Sequence, residues 1–276
     1  MVFSNRPCNY SEVPALMISP EVLYNTASEI LEKLQGDFES VMLFGSVARG
    51  CVAATSDIDV LQMVSKAHRS YRIGNLSASV YPVTALRKLA REGSLFVLHL
   101  KTEGKIIHDP NGTLAQCLES YQSPKDYSAF LRDLGLLARF LDVSRKDYTQ
   151  RWHQLNELGV FILRSALYSQ LAAQGRPTFA MQRVAELFQD KKILSAYRLK
   201  NAEVSDWKLF LVLRQLIKKY LQLEIHNPFG SFEALLLDSS NHSDFVKALA
   251  LRLVKGCSGE NSYTFFKSRL GWSSES

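Results

Sequence analysis

The sequence predicts an α+β fold, in which a small mixed-sheet domain is followed by an α-helical domain. Short apolar runs bounded by turn residues predict strands over 39–44, 57–64, 76–82 and 105–109. After the Pro-Asn-Gly turn at 110–112, apolar residues recur at helical spacing almost to the end of the chain. This change of period places the domain boundary between 1–112 and 113–276.

Local patterns predict the helices. Apolar residues at helical spacing indicate a helix over 20–35, and Gly36 provides its stop. Two shorter helices are expected over 84–92 and 95–103, and Gly104 ends the second of them. In the second domain we expect helices over 113–121, 125–143, 149–173, 179–189, 205–222, 229–238 and 242–256.

The composition is that of an ordinary globular protein. The 276 residues are 46% hydrophobic and 22% charged, which excludes a disordered chain. No apolar stretch approaches the ~20 residues of a membrane span, and the N-terminus lacks the pattern of a signal peptide. The four cysteines show no CxxC spacing, so no zinc site is expected from them. We therefore expect a cytoplasmic protein with reduced thiols and no membrane partner.

The net charge of +6 is unevenly distributed. Residues 1–115 hold eleven basic and eleven acidic side chains, so the whole excess lies in the remainder. Within it, the segment 183–219 carries nine basic residues against four acidic ones. Such a run is usually a solvated helix face; the alternative is a surface that contacts the phosphate backbone of a nucleic acid. The aromatic residues of the run do not form a pattern of interleaving that supports stacking on bases.

The stretch 43–60, LFGSVARGCVAATSDIDV, carries the chemistry. A strand ends at Gly45-Ser46, a short helix follows, and Asp57-Ile58-Asp59 opens the next strand. Glycine lets the backbone approach a phosphate, and the Ser46 hydroxyl with the following amides can hold phosphate oxygens. Asp57 and Asp59 are two residues apart on a strand, so both point to the same face. Two carboxylates opposite a phosphate-holding turn suit Mg²⁺ bound to a triphosphate.

This combination of Gly-Ser, spacer and Asp-x-Asp resembles the DNA polymerase β-type nucleotidyltransferase superfamily. GSVARG…SDIDV is most similar to its minimal and antibiotic-adenylyltransferase-like bacterial branches, and the resemblance covers roughly 20–112. It implies a domain that binds an NTP such as ATP together with Mg²⁺ or Mn²⁺. Gly45, Ser46 and Arg49 would contact the nucleotide phosphates. Asp57 and Asp59 would be the catalytic carboxylates and the metal ligands.

One part of the expected site is missing from the sequence. Active members of the superfamily usually carry a third acid on the strand that corresponds to 76–82, and the alignment puts Ser77 there. Serine is neutral and a poor metal ligand, so this position is degenerate. Residues 60–91 contain no Asp or Glu but seven Lys, Arg or His. Three explanations are open: Glu103 or Asp109 supplies the acid, two aspartates suffice, or the domain binds nucleotide without turnover.

Two functions follow from this pattern. The first is Mg²⁺-dependent transfer of a nucleoside monophosphate from an NTP to a hydroxyl acceptor, which is a protein, an RNA end or a small molecule. The alternative is a catalytically degenerate binding or regulatory module that contacts nucleic acid. The basic segment 183–219 favours an anionic RNA, DNA or protein acceptor over a cationic antibiotic. The resemblance also implies bacterial phage defence or toxin–antitoxin systems, where related domains are common.

Overall fold

The computed structural model describes residues 20–50, 57–66 and 69–255. The spacer 51–56 of the motif, the end of the last predicted helix, and Cys8, Cys51 and Cys257 lie outside the described residues, as does the N-terminal segment assessed for a signal peptide. The chain divides into two compact units, of which the first ends at Ser123 and the second begins at Pro124.

The first unit is built on a five-stranded mixed sheet, which confirms the α+β prediction. The strands are β1 (Ser40–Phe44), β2 (Ile58–Val64), β3 (Tyr71–Ile73), β4 (Leu76–Pro82) and β5 (Lys105–His108). Their order is β3-β4-β2-β1-β5, with β2 and β4 parallel and the other neighbours antiparallel. The helices of this unit are α1 (Pro20–Lys33), α2 (Gly45–Ala48), α3 (Val83–Arg91), α4 (Leu95–Glu103) and α5 (Thr113–Glu119).

Alternation along the strands divides the sheet residues between two faces. One face packs on Ile30 of α1 through a buried cluster that includes Val41, Leu43, Val60 and Ala78, with Ile58 packed against it. The opposite face packs on α4. There the Phe96 ring stacks on Tyr81 at 5.3 Å between centroids and meets Phe44 edge-on at 5.7 Å. Ile58 and Val60 therefore face the core, and Asp59 faces the side of α4.

Strand β3 was not predicted, because three residues are too short to show a period. A polar contact holds it in place: the Tyr71 hydroxyl donates to Oε1 of Gln62 at 2.6 Å and accepts from the Gln35 amide at 2.7 Å. Gln62 is fully buried in β2. A buried amide without a hydrogen-bond partner would lower the stability of the fold, and the Tyr71 hydroxyl supplies such a partner. The short edge strand is thus positioned by the Gln62 side chain and the Gln35 backbone amide, 9 and 36 residues away in sequence.

The second unit is helical, as predicted. Its helices are α6 (Ser128–Ala138), α7 (Arg145–Ala173), α8 (Met181–Leu187), α9 (Lys192–Tyr197), α10 (Trp207–Leu221), α11 (Phe232–Ser239) and α12 (Asp244–Lys255). Of these, α9 was not predicted. Helices α7 and α10 approach closely at Gly159, where a Cβ would lie 2.6 Å from the Leu213 side chain. Among the described helices, none combines the length and the apolar composition needed to cross a membrane.

Helix α5 packs on α3 and α4 and is grouped with the first unit, whereas the boundary predicted from sequence lies between residues 112 and 113. Asp109 fixes the start of this helix. Its Oδ1 accepts from the Ser40 hydroxyl at 2.7 Å, and its Oδ2 accepts from the Ala115 amide at 2.9 Å. Burial raises the pKa of Asp109, but these hydrogen bonds outweigh it and hold the pKa below its usual value.

We expect Asp109→Asn to lower the free energy of unfolding by about 1–2 kcal/mol at neutral pH, since the amide replaces one carboxylate acceptor by a donor. The folded pKa is depressed, so the stabilisation is complete above the unfolded pKa of about 3.9 and is lost as the pH falls through the folded value. Chemical denaturation at neutral pH and at about pH 3 measures both effects. Asp37→Asn, at an exposed position in the same unit, is the control. A deficit that stays constant over this pH range would contradict the assignment.

Candidate active site

The Gly-Ser turn brings the end of β1 against Asp59. Gly45 follows β1 directly and has a φ of +75°, which favours glycine. A Cβ on Gly45 would lie 2.5 Å from Oδ2 of Asp59, too close for any other residue without movement of the carboxylate. Ser46 is partly exposed at the same turn. The turn and one predicted catalytic carboxylate therefore share one small space.

The sheet register places four side chains in one row, which we call the site row: Phe44, Asp59, Ser77 and Arg72. Phe44 of β1 pairs with Asp59 of β2, which pairs with Ser77 of β4, which pairs with Arg72 of β3. Residues paired across neighbouring strands lie on the same face of a sheet. The structure thus puts Ser77 directly beside Asp59, on the strand where the alignment expects the third acid.

Asp57 lies just before β2 and forms an ion pair with Arg72. Oδ1 of Asp57 receives a hydrogen bond from Nη2 of Arg72. Both side chains are partly exposed, 47% for Asp57 and 39% for Arg72. Because Arg72 belongs to the site row, this contact shows that Asp57 points to the same side as Asp59. Arg72 is one of the seven Lys, Arg or His in 60–91, and nothing in the sequence links positions 57 and 72.

Arg49 is held by an acid from α4. Its Nη1 donates to Oε2 of Glu103 at 2.7 Å, and Nε2 of His99 lies 3.4 Å from the same oxygen. The His99 ring in turn packs edge-on against Phe44 of the site row, with centroids 5.8 Å apart. The Glu103 side chain is 11% exposed. Arg49 is thus anchored near the Gly-Ser turn by a partner that the sequence pattern did not reveal.

These contacts bear on the two acids considered as substitutes for the missing one. Glu103 is engaged by Arg49 and His99. Asp109 binds Ser40, at the opposite end of β1 from Gly45, and the amides of α5. Both sets of partners favour structural roles for these acids rather than a place in the site row.

The side chains at the site fit one divalent ion that shares its coordination with a phosphate. Mg²⁺ is usually held in proteins by one or two carboxylates together with substrate phosphates and water. Asp57 and Asp59 supply two carboxylates beside the turn. Within the described ranges, no group of three or more His, Cys, Asp or Glu could hold a metal ion by itself. Asp57 and Asp59 are therefore the described carboxylates at this turn that could supply part of the coordination of such an ion.

We expect Gly45→Ala to destabilise the protein by about 1–3 kcal/mol more than Gly50→Ala, because only the first adds a contact with Asp59. Gly50 has a φ of +74°, and a Cβ there would meet nothing within 4 Å. It therefore reports the backbone cost alone, about 1–2 kcal/mol. Urea unfolding of both variants measures the difference, and equal losses would show that Gly45 does not approach the carboxylate.

Comparison with known proteins locates this site within a family. Residues 25–100 match the family model described as the nucleotidyltransferase domain. A solved structure, that of a nucleotidyltransferase-like protein from Exiguobacterium sibiricum 255-15, is 15% identical, covers 74% of this chain and 73% of its own, and gives a TM-score of 0.27. No curated protein matches the chain.

The family match supports nucleotidyl transfer as the general class of activity. It spans Gly45, Ser46, Arg49, Asp57, Asp59 and Ser77, and residues 25–100 are thus a nucleotidyltransferase domain of the DNA polymerase β-like superfamily.

Proposed function

We propose that the protein transfers a nucleoside monophosphate from an NTP to a hydroxyl acceptor and releases pyrophosphate. The observation that carries this proposal is the approach of the Asp59 carboxylate to Gly45, where a Cβ would lie 2.5 Å from Oδ2. A triphosphate held at the Gly45-Ser46 turn would reach a metal-binding carboxylate within the same space. Such preorganised placement of charge is the main source of catalysis in transfers of this kind.

Each side chain has a role in this proposal. The Gly45 backbone and the Ser46 hydroxyl would bind phosphate oxygens, and Arg49, anchored by Glu103, would add a positive charge nearby. Asp57 and Asp59 would hold Mg²⁺ or Mn²⁺, which supplies neutralisation of the triphosphate charge when bound.

The transfer itself is an exchange of bonds at the α-phosphorus. The acceptor oxygen forms a bond to this atom while the bond to the bridging oxygen of pyrophosphate breaks, and pyrophosphate leaves with the electron pair. The hydroxyl proton passes to solvent, because Ser77, in register with Asp59, carries no carboxylate that would accept it. We therefore expect slow turnover, or an acceptor more acidic than an ordinary alcohol.

The register also favours a second candidate function. With serine in place of an acid beside Asp59, the domain would bind nucleotide without turning it over and act as a regulatory module. The phosphate turn and both aspartates serve binding as well as transfer. The two candidates therefore differ only in whether a product forms.

The acceptor is proposed from the charge of the helical unit. Several of the nine basic residues in 183–219 form ion pairs within the unit, among them Arg183 with Glu186, Arg214 with Asp142, Lys218 with Glu224 and Lys219 with Asp190. Others are exposed, among them Lys191, Lys192, Arg198 and Lys208. This smaller set supports an anionic acceptor, RNA, DNA or an acidic protein surface. A place in phage defence or toxin–antitoxin systems stays a prediction.

We expect the protein to move label from an α-labelled NTP onto one acceptor in pools of RNA and of protein, in the presence of Mg²⁺ or Mn²⁺. Asp57→Asn and Asp59→Asn should each lower the transfer rate by about 100-fold or more, because each removes a charge aimed at the triphosphate. The matched control is Asp37→Asn, which makes the same change at an exposed position of the same unit. Its transfer rate should equal that of the unchanged protein.

Nucleotide binding to the same variants, measured by calorimetry, separates the two candidate functions. Transfer that disappears with Asp59→Asn supports the enzyme. Binding of NTP without transfer to any acceptor would replace it by the regulatory module. Absence of both binding and transfer would refute both candidates.

A further inference from the structure

The site row carries a cation next to Ser77, the position where the resemblance implies an acid. Ser77 is flanked by Asp59 on one side and by Arg72 on the other. Arg72 belongs to β3 and Asp57 precedes β2, the strand on the other side of β4, yet the two side chains are in contact. A small, neutral residue at position 77, next to both, is compatible with this contact, whereas a carboxylate there would itself compete for the guanidinium.

Arg72 binds one oxygen of the Asp57 carboxylate, so that the carboxylate can be shared with a second cation. The hydrogen bond goes to Oδ1, so Oδ2 can bind a second cation. A carboxylate that bridges two cations is the usual arrangement in two-metal sites that transfer phosphoryl groups. In this chain one of the two cations on Asp57 is a guanidinium that belongs to the protein.

We propose that Arg72 is a built-in second cation of the nucleotide site, so that the domain binds an NTP with a single divalent ion on Asp59 and Oδ2 of Asp57. This inference rests on the proposed binding of NTP at the Gly45-Ser46 turn. Arg72 then takes the place of a second ion, and Ser77 occupies the position of the acid that such an ion would need.

The charges support this exchange. Three carboxylates with two divalent ions have a net charge of one positive unit. Two carboxylates, one arginine and one divalent ion have the same net charge, so the attraction for a triphosphate is preserved. Arginine also offers a planar pair of donors that matches phosphate oxygens. The run 60–91, basic and without an acid, is consistent with a cation in this place.

The number of bound ions tests the proposal directly. Electron paramagnetic resonance counts Mn²⁺ per complex in the full chain with a non-hydrolysable NTP analogue, with protein in excess so that every nucleotide is bound. We expect one Mn²⁺ per nucleotide in the unchanged protein. The double variant Arg72→Ala with Ser77→Asp, which restores an acid and removes the cation, should bind two.

Nucleotide affinity provides the second readout. Arg72→Ala alone should weaken binding of the analogue by about tenfold, which corresponds to about 1.4 kcal/mol, whereas Arg72→Lys should keep part of the affinity. The matched control is Arg87→Ala. Arg87 is exposed on α3, which begins at the other end of β4 from Ser77. Thermal unfolding should be nearly unchanged in all single variants, because exposed ion pairs add little stability.

The outcomes separate this inference from the proposed function. Two Mn²⁺ per nucleotide in the unchanged protein, or an affinity that Arg72→Ala leaves unaltered, would overturn the role of Arg72 while NTP binding stands. A double variant that still binds one ion would also count against it. If the unchanged protein binds no nucleotide, the proposed function fails, and the inference fails with it.

Discussion

The parallel pairing of β2 with β4 determines what the candidate site contains. It sets Asp59 beside Ser77, and the antiparallel pairing of β3 adds Arg72 to the same row. Because side chains alternate along a strand, a shift of this register by one residue would turn Asp59 into the apolar layer and Val60 out of it. Val60 is fully buried against the α1 side of the sheet, so the hydrophobic core and the position of the carboxylate are fixed by one pairing.

The same register explains why the turn after β1 favours glycine. Phe44 pairs with Asp59, so the next residue begins its turn where the carboxylate lies. Gly45 meets this constraint through its positive φ and its lack of a Cβ. On the neighbouring side, Phe44 contacts Phe96 and His99 of α4, and His99 lies near the acid that anchors Arg49. The packing of the Phe44 ring thus connects the sheet to the Gly45 turn and, through His99 and Glu103, to Arg49.

The parts of this domain that the sequence predicted are those encoded locally. The strands that carry Asp59 and Ser77 have apolar periods of their own, and the Gly-Ser turn has a local chemical signature. Strand β3 is only three residues long, so it has no hydrophobic period from which it could be predicted. It is held instead by hydrogen bonds with Gln62 and Gln35. The partners of Asp57 and Arg49 come from positions 15 and 54 residues away. Such contacts arise only when the sheet is assembled, and sequence spacing does not encode them.

The exchange of an acid for an arginine separates two functions that a third carboxylate combines. Such a carboxylate would help to hold cations and would also accept the proton of the attacking hydroxyl. Arg72 is suited to the first function, because its guanidinium keeps its positive charge at any physiological pH. It is unsuited to the second for the same reason, since it stays protonated and accepts nothing. Binding of nucleotide should therefore be better preserved in this domain than the rate of transfer, and the acidity of the acceptor becomes the factor that decides whether a product forms.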